Sequence, residues 1–233
     1  MTAQYRLQGF GSCAPPPVRE LTRLHAELLP TSPVALLGDR FMESFYYRVL
    51  PRQGLIVGAV AYVDEQPAGF VAATHDRGFM RTALRTRWPR AAWAVGTSVV
   101  AAPKALGAVW QAWGMMRSRR RAEGGEREGE ILTLGVLPAY RERNFIRHSG
   151  LRIATDLLDM AVGALRKMGI QQIGAVVRAD NTEAKLFYVG LGWTLHRTSV
   201  PGVRTAAVEF ALRGASGVAV NEATEGSSVP TGR

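Results

Sequence analysis

Hydrophobic residues recur along this chain with two different periods, which together predict a mixed α/β fold. Seven short segments are continuously apolar or alternate between apolar and polar residues, as strands do. They are residues 3–9, 55–63, 68–74, 131–137, 170–177, 193–199 and 204–212. Four longer segments repeat apolar residues at helical spacing, namely 18–29, 33–49, 151–168 and 181–191. The order predicts a mixed central sheet flanked by helices on both faces, with an insertion between the third and fourth strands.

Cap and turn residues set several of the predicted boundaries. Ser32 is a suitable N-cap, and Pro33 suits the first position of the second helix. Residues 64–67 predict a hairpin turn between the second and third strands. From Gly214 onward the chain is small and polar, which predicts a disordered tail over 214–233. We therefore expect one domain over residues 1–213.

The charge of the chain is concentrated in one segment. The net charge is +10, yet residues 77–121 hold ten Lys and Arg residues and no Asp or Glu, so the remainder is neutral. Two apolar runs of twelve residues, 91–102 and 105–116, lie within it, separated by Pro103. Because roughly 20 residues are needed to cross a bilayer, each run is too short to span one. We predict a basic, helical insertion over residues 77–125.

The composition of the insertion is compatible with several roles. Four tryptophans stand between arginine clusters there, at Trp88, Trp93, Trp110 and Trp113. Packing on the parent domain, a membrane surface, self-association and a lid over an apolar substrate all fit this composition. Nucleic acid is not favoured, because the runs are too apolar to read a groove.

Cysteine and histidine content restricts the compartment and the chemistry. Cys13 is the single cysteine, so no internal disulfide can form. The N-terminus lacks a charged start followed by an apolar stretch, so no signal peptide is predicted. These features predict a cytoplasmic protein, peripheral at the membrane if the insertion binds one. The four histidines are scattered and give no metal-ligand spacing, so no metal is expected.

The segment that follows the fifth predicted strand carries a spaced motif. Asn181 is followed by Ala184, Tyr188, Gly192 and the aromatic Trp193, at the start and end of one predicted helix. This pattern resembles the GNAT (Gcn5-related N-acetyltransferase) superfamily. The resemblance implies an acetyl-CoA-dependent acetyltransferase, in which Asn181 orients the acyl-CoA chain and Tyr188 is the general acid toward the leaving thiolate.

A second motif of the same family is stretched in this chain. Residues 136–141 (VLPAYR) match the end of the family's central strand, but the glycines do not follow at once. Residues 147–152 (RHSGLR) match better, so we infer a loop insertion of about six residues before a helix that starts near Gly150. In the family, such a loop holds the CoA pyrophosphate at a helix N-terminus. The resemblance implies these cofactor-binding residues: Gly135, Val136, Arg141, Arg147, Ser149, Gly150, Leu151, Asn181 and Tyr188.

The remaining catalytic roles follow from the same resemblance. Backbone N–H groups of the 131–137 strand are expected to polarise the thioester carbonyl, and Glu130 is the predicted general base. A solvated strand-end charge is the alternative for Glu130, and His75 with Asp76 could also face the site. His25 and His148 are expected to be surface or capping residues.

The predicted function is acetyl-CoA-dependent N-acetylation of a small-molecule amine. A partial resemblance over residues 24–46 to family members of sugar pathways makes an amino sugar one candidate acceptor. Two alternatives stay open. The first is a GNAT-fold module that binds CoA weakly and acts as a partner- or membrane-binding protein, and the second is an enzyme with a longer acyl donor.

Overall fold

The computed structural model describes residues 4–80, 82–83, 128–197 and 207–213. Most of the predicted insertion and the whole predicted tail lie outside these residues. The described segments form one seven-stranded sheet in the order β1-β2-β3-β4-β5-β7-β6. Its strands are β1 (Tyr5–Phe10), β2 (Val57–Val63), β3 (Gln66–Thr74), β4 (Glu128–Val136), β5 (Gln172–Arg178), β6 (Thr194–Arg197) and β7 (Ala207–Arg213). All seven predicted strands are confirmed, with ends that differ by a few residues.

The sheet is mixed, as predicted. The pair β4 and β5 runs parallel, whereas the other five neighbouring pairs are antiparallel. The β2–β3 hairpin turns at Asp64 and Glu65, which both have positive φ values (49° and 60°). Two successive positive φ values suit the right-handed twist of a two-residue hairpin, so this turn fixes the register of β2 and β3.

Helices cover both faces of the sheet. They are α1 (Val18–Leu28), α2 (Pro33–Leu36), α3 (Asp39–Phe41), α4 (Val49–Arg52), α5 (Arg143–Ser149), α6 (Ile153–Lys167) and α7 (Thr182–Gly190). A π-helical turn, Met42–Tyr46, joins α3 to the chain that leads into α4. No helix among the described residues is long and apolar enough to cross a membrane.

The second predicted helix, over 33–49, is wrong as a single element. Ser32 does cap its start, because its hydroxyl accepts the Ala35 N–H at 3.0 Å. Gly38 then adopts φ +85°, which an α-helix does not allow, and the chain restarts at Asp39. The apolar spacing survives this break because Leu37, Phe41 and Phe45 still reach the same core.

Two apolar clusters lie on opposite faces of the sheet. One contains α1 and the segment from α2 to α4, packed on the β2, β3 face that bears Val60 and Phe70. The other contains α6 and α7, packed on the face that bears Val71, Ile131 and Phe210. Strands β3 and β4 contribute side chains to both clusters, so the centre of the sheet is fixed from both sides.

Candidate active site

The central parallel pair of strands separates part of the way along its length. β4 pairs with β5 only from Glu128↔Gln172 to Ile131↔Ala175. Beyond that point β4 continues along β3 to Val136, while β5 continues along β7 to Arg178. The two strands therefore diverge and leave a cleft with one edge of β4 open toward it.

The register of β3 and β4 shows which backbone groups of β4 face this cleft. The Leu137 N–H donates to the Ala68 carbonyl at 2.8 Å, so this opposed pair is a hydrogen-bonded one. Hydrogen-bonded and non-bonded pairs alternate along an antiparallel ladder. Gly135, opposite Phe70, therefore bonds to β3, whereas the N–H and C=O groups of Leu134 and Val136 point away from β3, toward the cleft.

A bulge interrupts β4 just before the open edge. Ala72 pairs with Thr133 and Ala73 pairs with Ile131, so Leu132 is the extra residue. Bulges bend a strand and end its regular pairing, and this one lies next to the last β4–β5 pair. It thus helps to direct the two strands apart.

Gly135 allows α1 to approach the sheet closely. A Cβ atom there would lie 2.9 Å from a Leu28 methyl carbon, closer than side chains normally pack. The backbone of Gly135 faces β3 by the register above, so the two neighbours, Leu134 and Val136, are better placed than Gly135 to contact a ligand in the cleft.

Tyr188 lies in the apolar cluster that lines one side of the cleft. It is on α7 and only 6% exposed, with its ring stacked on Phe210 (centroids 5.8 Å apart) and edge-on to Trp193 (4.9 Å). Burial raises the pKa of its phenol well above the ordinary value of 10, so the hydroxyl keeps its proton at neutral pH.

Asn181 is the N-cap of α7, as predicted. Its side-chain oxygen accepts the Ala184 N–H at 3.0 Å, which leaves the amide NH₂ for other contacts. Arg141, which follows β4, donates to both carboxylate oxygens of Glu183 in the first turn of α7, at 3.1 and 3.2 Å. This ion pair links the chain after β4 to α7, and both side chains are exposed.

The predicted phosphate loop needs a correction. The residues that we interpreted as a loop insertion form a helix, α5, and Gly150 (φ +71°) ends it as a left-handed C-cap. The next helix, α6, begins at Ile153, two residues after the predicted start at residue 151. Arg147 and Ser149 therefore occupy the last turn of α5, and the Ser149 hydroxyl donates to the Phe145 carbonyl and accepts the Leu151 N–H.

The N-terminus of α6 nevertheless lies only three residues after Gly150. The first N–H groups of α6 have no partner within the helix, whose first internal bond runs from the Asp156 N–H to the Arg152 carbonyl. Arg152 is the exposed N-cap residue of α6, and Arg147, also exposed, lies in the last turn of α5. Unpaired N–H groups, the helix dipole and two arginines form an environment that suits phosphate.

Glu130 is buried, which excludes the solvated strand-end alternative. It lies on β4 opposite Thr74 of β3 and Gly174 of β5, one residue before the last β4–β5 pair, and is 3% exposed. Nearby, Arg77 forms ion pairs with Glu128 (3.1 Å) and with Glu209 of β7 (2.5 Å). The periodicity of the sequence gave no signal for Arg77 or Glu209, because they lie 132 residues apart.

The side chains of His25, His148 and Asp76 make hydrogen bonds within the fold. The prediction that His25 is a surface or capping residue is wrong. It is fully buried, with Nδ1 2.5 Å from the Tyr47 hydroxyl and Nε2 2.7 Å from the Ser32 hydroxyl. His148 is exposed, with Nδ1 2.7 Å from the Asn144 carbonyl. The Asp76 carboxylate accepts the Gly78 N–H and the Thr82 hydroxyl, so it caps the turn after β3.

Comparison with sequences gives one partial relative. No model of a known protein family matches the chain. A mycothiol acetyltransferase from Geodermatophilus obscurus is 33% identical over 78 residues, which cover 34% of this chain and 23% of that protein. The match thus spans less than a quarter of the relative's own length.

Solved structures match about nine tenths of the chain. A Desulfovibrio desulfuricans protein described as an acetyltransferase of the GNAT family has a TM-score of 0.51 at 12% identity, over 91% of this chain and 99% of that one. Arabidopsis thaliana NAA60, solved in complex with acetyl-CoA, has a TM-score of 0.52 at 16% identity, over 90% and 98%. PH1933 from Pyrococcus horikoshii has a TM-score of 0.52 at 14% identity, over 90% and 98%. At such identities the likeness shows a shared fold.

Proposed function

We propose that this chain, which has the fold of the GNAT acetyltransferases, transfers the acetyl group of acetyl-CoA to the amine of a small molecule. The observation that carries the proposal is the cleft between β4 and β5. Its open β4 edge presents the backbone groups of Leu134 and Val136, and Tyr188 lies buried in the apolar cluster beside it. An extended acyl chain can add to such an edge as a further strand would.

In this proposal, the thioester, the pantetheine chain and the pyrophosphate of acetyl-CoA contact successive groups of the protein. Acetyl-CoA supplies a thioester that an amine can attack. The Leu134 N–H is placed to donate to the thioester oxygen, where negative charge develops during the attack. The Val136 backbone continues along the pantetheine amides. The N-terminus of α6, with Arg147 and Arg152, receives the pyrophosphate.

Two side chains move the protons. Glu130, at the point where β4 and β5 diverge, accepts the proton of the attacking amine, directly or through one water. Tyr188 donates a proton to the departing thiolate, and its raised pKa ensures that this proton is present at neutral pH. The amine must reach the cleft as the neutral base, so turnover is expected to rise with pH until the amine is deprotonated.

The acceptor is proposed at the level of its chemical class. A small primary amine fits a transfer that needs one neutral nitrogen, and amino sugars remain a candidate from the partial resemblance over residues 24–46. The mycothiol acetyltransferase relative adds acceptors related to mycothiol to those worth testing.

Transfer itself is the test of this proposal. The full chain is incubated with acetyl-CoA and a panel of amino sugars, polyamines and mycothiol-related amines, and free CoA thiol is measured against amine-free controls. We expect thiol release that depends on one class of amine and a product heavier by one acetyl group. Stabilisation by acetyl-CoA without release for any amine contradicts the proposal.

A binding module is the second candidate, and α5 is the observation that favours it. Seven helical residues, Arg143–Ser149, separate the end of β4 from α6, where the family pattern has a direct glycine loop. A module that has lost CoA would show no thermal stabilisation at millimolar acetyl-CoA. A ligand at 100 times its Kd should add about 2.7 kcal/mol of stability.

The predicted membrane or self-association role of residues 77–121 stays a prediction.

A further inference from the structure

An ion pair crosses the cleft at the end where its two walls stop. Arg141 follows β4 and the short turn Pro138–Tyr140, and Glu183 lies in the first turn of α7, which follows β5. Because β4 and β5 are parallel, their carboxyl ends lie at the same edge of the sheet, with the cleft between them. Arg141 Nη1 lies 3.1 and 3.2 Å from the two carboxylate oxygens of Glu183. The pair therefore joins the β4 side of the cleft to the α7 side.

The proposed cosubstrate must pass this pair where it leaves the cleft. Its thioester is placed at Leu134 and its pantetheine runs along Val136, so its phosphates emerge beyond the end of β4. Arg141 follows Val136 by five residues in the same direction. The sequence predicted Arg141 as a cofactor-binding residue, whereas in the structure a carboxylate of the protein itself is bound to the guanidinium. Glu183 thus occupies a cation that lies on the path of the phosphates.

The bond between Arg141 and Glu183 is weak enough to be exchanged. The two side chains are 45% and 76% exposed, and ion pairs so open to water and salt contribute little to stability. Within the described residues, the guanidinium uses Nη1 alone for this bond. A phosphate can accept two parallel N–H groups from an arginine, which is a stronger arrangement. The fold therefore loses little when a phosphate replaces the carboxylate.

The other charged side chains at the start of α7 are bound elsewhere. Asp180 accepts two hydrogen bonds from Arg178, at 3.0 and 2.5 Å, and the Lys185 ammonium donates to the Ala179 carbonyl at 2.7 Å. In the part of the chain that the structure describes, Glu183 is therefore the carboxylate that competes with a ligand for Arg141.

We propose that Glu183 is a built-in competitor that the phosphates of acetyl-CoA displace, so that Arg141 changes its partner from Glu183 to phosphate when the cosubstrate binds. This inference rests on the proposed function, because acetyl-CoA is the ligand that displaces the carboxylate. It adds a means of selecting the donor. A thioester without phosphate cannot displace Glu183 and gains nothing from Arg141, so the exchange favours acetyl-CoA over shorter thioesters.

The exchange makes opposite predictions for the two partners. Glu183→Gln removes the competitor, so acetyl-CoA should bind about threefold more tightly, a gain within the range of one exposed ion pair. Arg141→Gln removes the cation and should weaken binding by roughly tenfold, as the loss of a charge-assisted hydrogen bond does. In the double variant the gain from Glu183→Gln should vanish, because no cation is left to compete for. Both side chains are exposed, so the variants are expected to fold.

NMR titration of the full chain with two donors measures these affinities. The donors are acetyl-CoA and S-acetylpantetheine, which has the same thioester and amides but no phosphate. The Kd of S-acetylpantetheine should agree within about twofold in all variants, because Arg141 and Glu183 act on the phosphates alone. Glu65→Gln is the matched control. Glu65 is likewise exposed and paired with an arginine, Arg6, but it lies in the β2–β3 turn, so its substitution should change neither Kd.

A bridge that stays closed and holds the two walls together gives a different result. Glu183→Gln would then weaken acetyl-CoA binding or leave it unchanged, and either outcome would overturn the inference. An equal gain for both donors, or a gain that persists without Arg141, also contradicts it. The expected affinities in a chain that acetylates no amine support the exchange and contradict the proposed function instead. If the wild type binds no acetyl-CoA, both fail.

Discussion

The burial of Tyr188 determines what its phenol can do. Packed against Trp193 and Phe210, the ring has little freedom, and burial holds the hydroxyl proton in place at neutral pH. Tyr188→Phe keeps the packing and removes only that proton. We expect kcat to fall by roughly a hundredfold, the lower end of the usual effect of a general acid, with acetyl-CoA affinity unchanged within about twofold.

Steady-state kinetics measures the fall in kcat, and calorimetric titration measures the affinity for acetyl-CoA. Tyr62→Phe is a matched control, because Tyr62 is also buried but lies on β2, under the Arg6 guanidinium. Equal kcat values for wild type and Tyr188→Phe would remove Tyr188 from the mechanism.

His25 makes stability depend on pH. Burial lowers the pKa of its imidazole from 6.5 to about 4, so between these values the unfolded chain binds the proton and the folded chain does not. Stability is therefore fully present above pH 6.5 and is lost as the pH falls toward 4. The pKa difference corresponds to about 3 kcal/mol, most of it lost by pH 4.5.

Urea unfolding at pH 7.5 and pH 4.5 measures this loss. In His25→Gln, the loss of unfolding free energy between pH 7.5 and pH 4.5 is expected to be about 2 kcal/mol smaller than in the wild type, even if the variant is less stable at both pH values. His148→Gln, at an exposed site, should leave the dependence as in the wild type. If His25→Gln loses as much stability between the two pH values as the wild type does, the buried imidazole is not the cause of the loss.

At the scale of elements, the connection between α5 and α6 depends on the backbone of Gly150. Its φ of +71° is strained for any residue with a Cβ atom, although the space around it is open. Gly163 lies inside α6, also in open space but with helical backbone. Gly150→Ala should destabilise the chain by about 1 kcal/mol, whereas Gly163→Ala should stabilise it by about 0.5–1 kcal/mol. Urea denaturation of both variants tests the pair, and a stabilising Gly150→Ala would contradict the assigned C-cap.

Periodicity predicted elements well where one face of a helix or strand meets one core. The seven strands and the helices α1, α6 and α7 follow from it, as does the Ser32 cap. It failed at the second helix, because Gly38 breaks the backbone without breaking the apolar spacing. It also failed at α5, whose residues are mostly exposed and so carry no apolar stripe to detect.

At the scale of the whole molecule, the site depends on contacts that no local pattern encodes. The spaced motif predicted α7 with its N-cap Asn181, and Tyr188 on it is buried in the core of the sheet. The network of Arg77 with Glu209 joins residues 132 positions apart, and the direction of the Leu134 and Val136 N–H groups follows from a register that only the folded sheet fixes. The open edge of β4 and the charged network could therefore not be predicted from the sequence.

Amide hydrogen exchange along β4, followed by NMR with and without acetyl-CoA, tests the central claim most directly. The Gly135 N–H bonds to β3 and should be protected in both states. The Leu134 and Val136 N–H groups face the cleft, so they should exchange readily in the free protein and become at least about tenfold slower when acetyl-CoA binds. Binding that slows exchange elsewhere but leaves Leu134 and Val136 unchanged would contradict the placement of acetyl-CoA between β4 and β5.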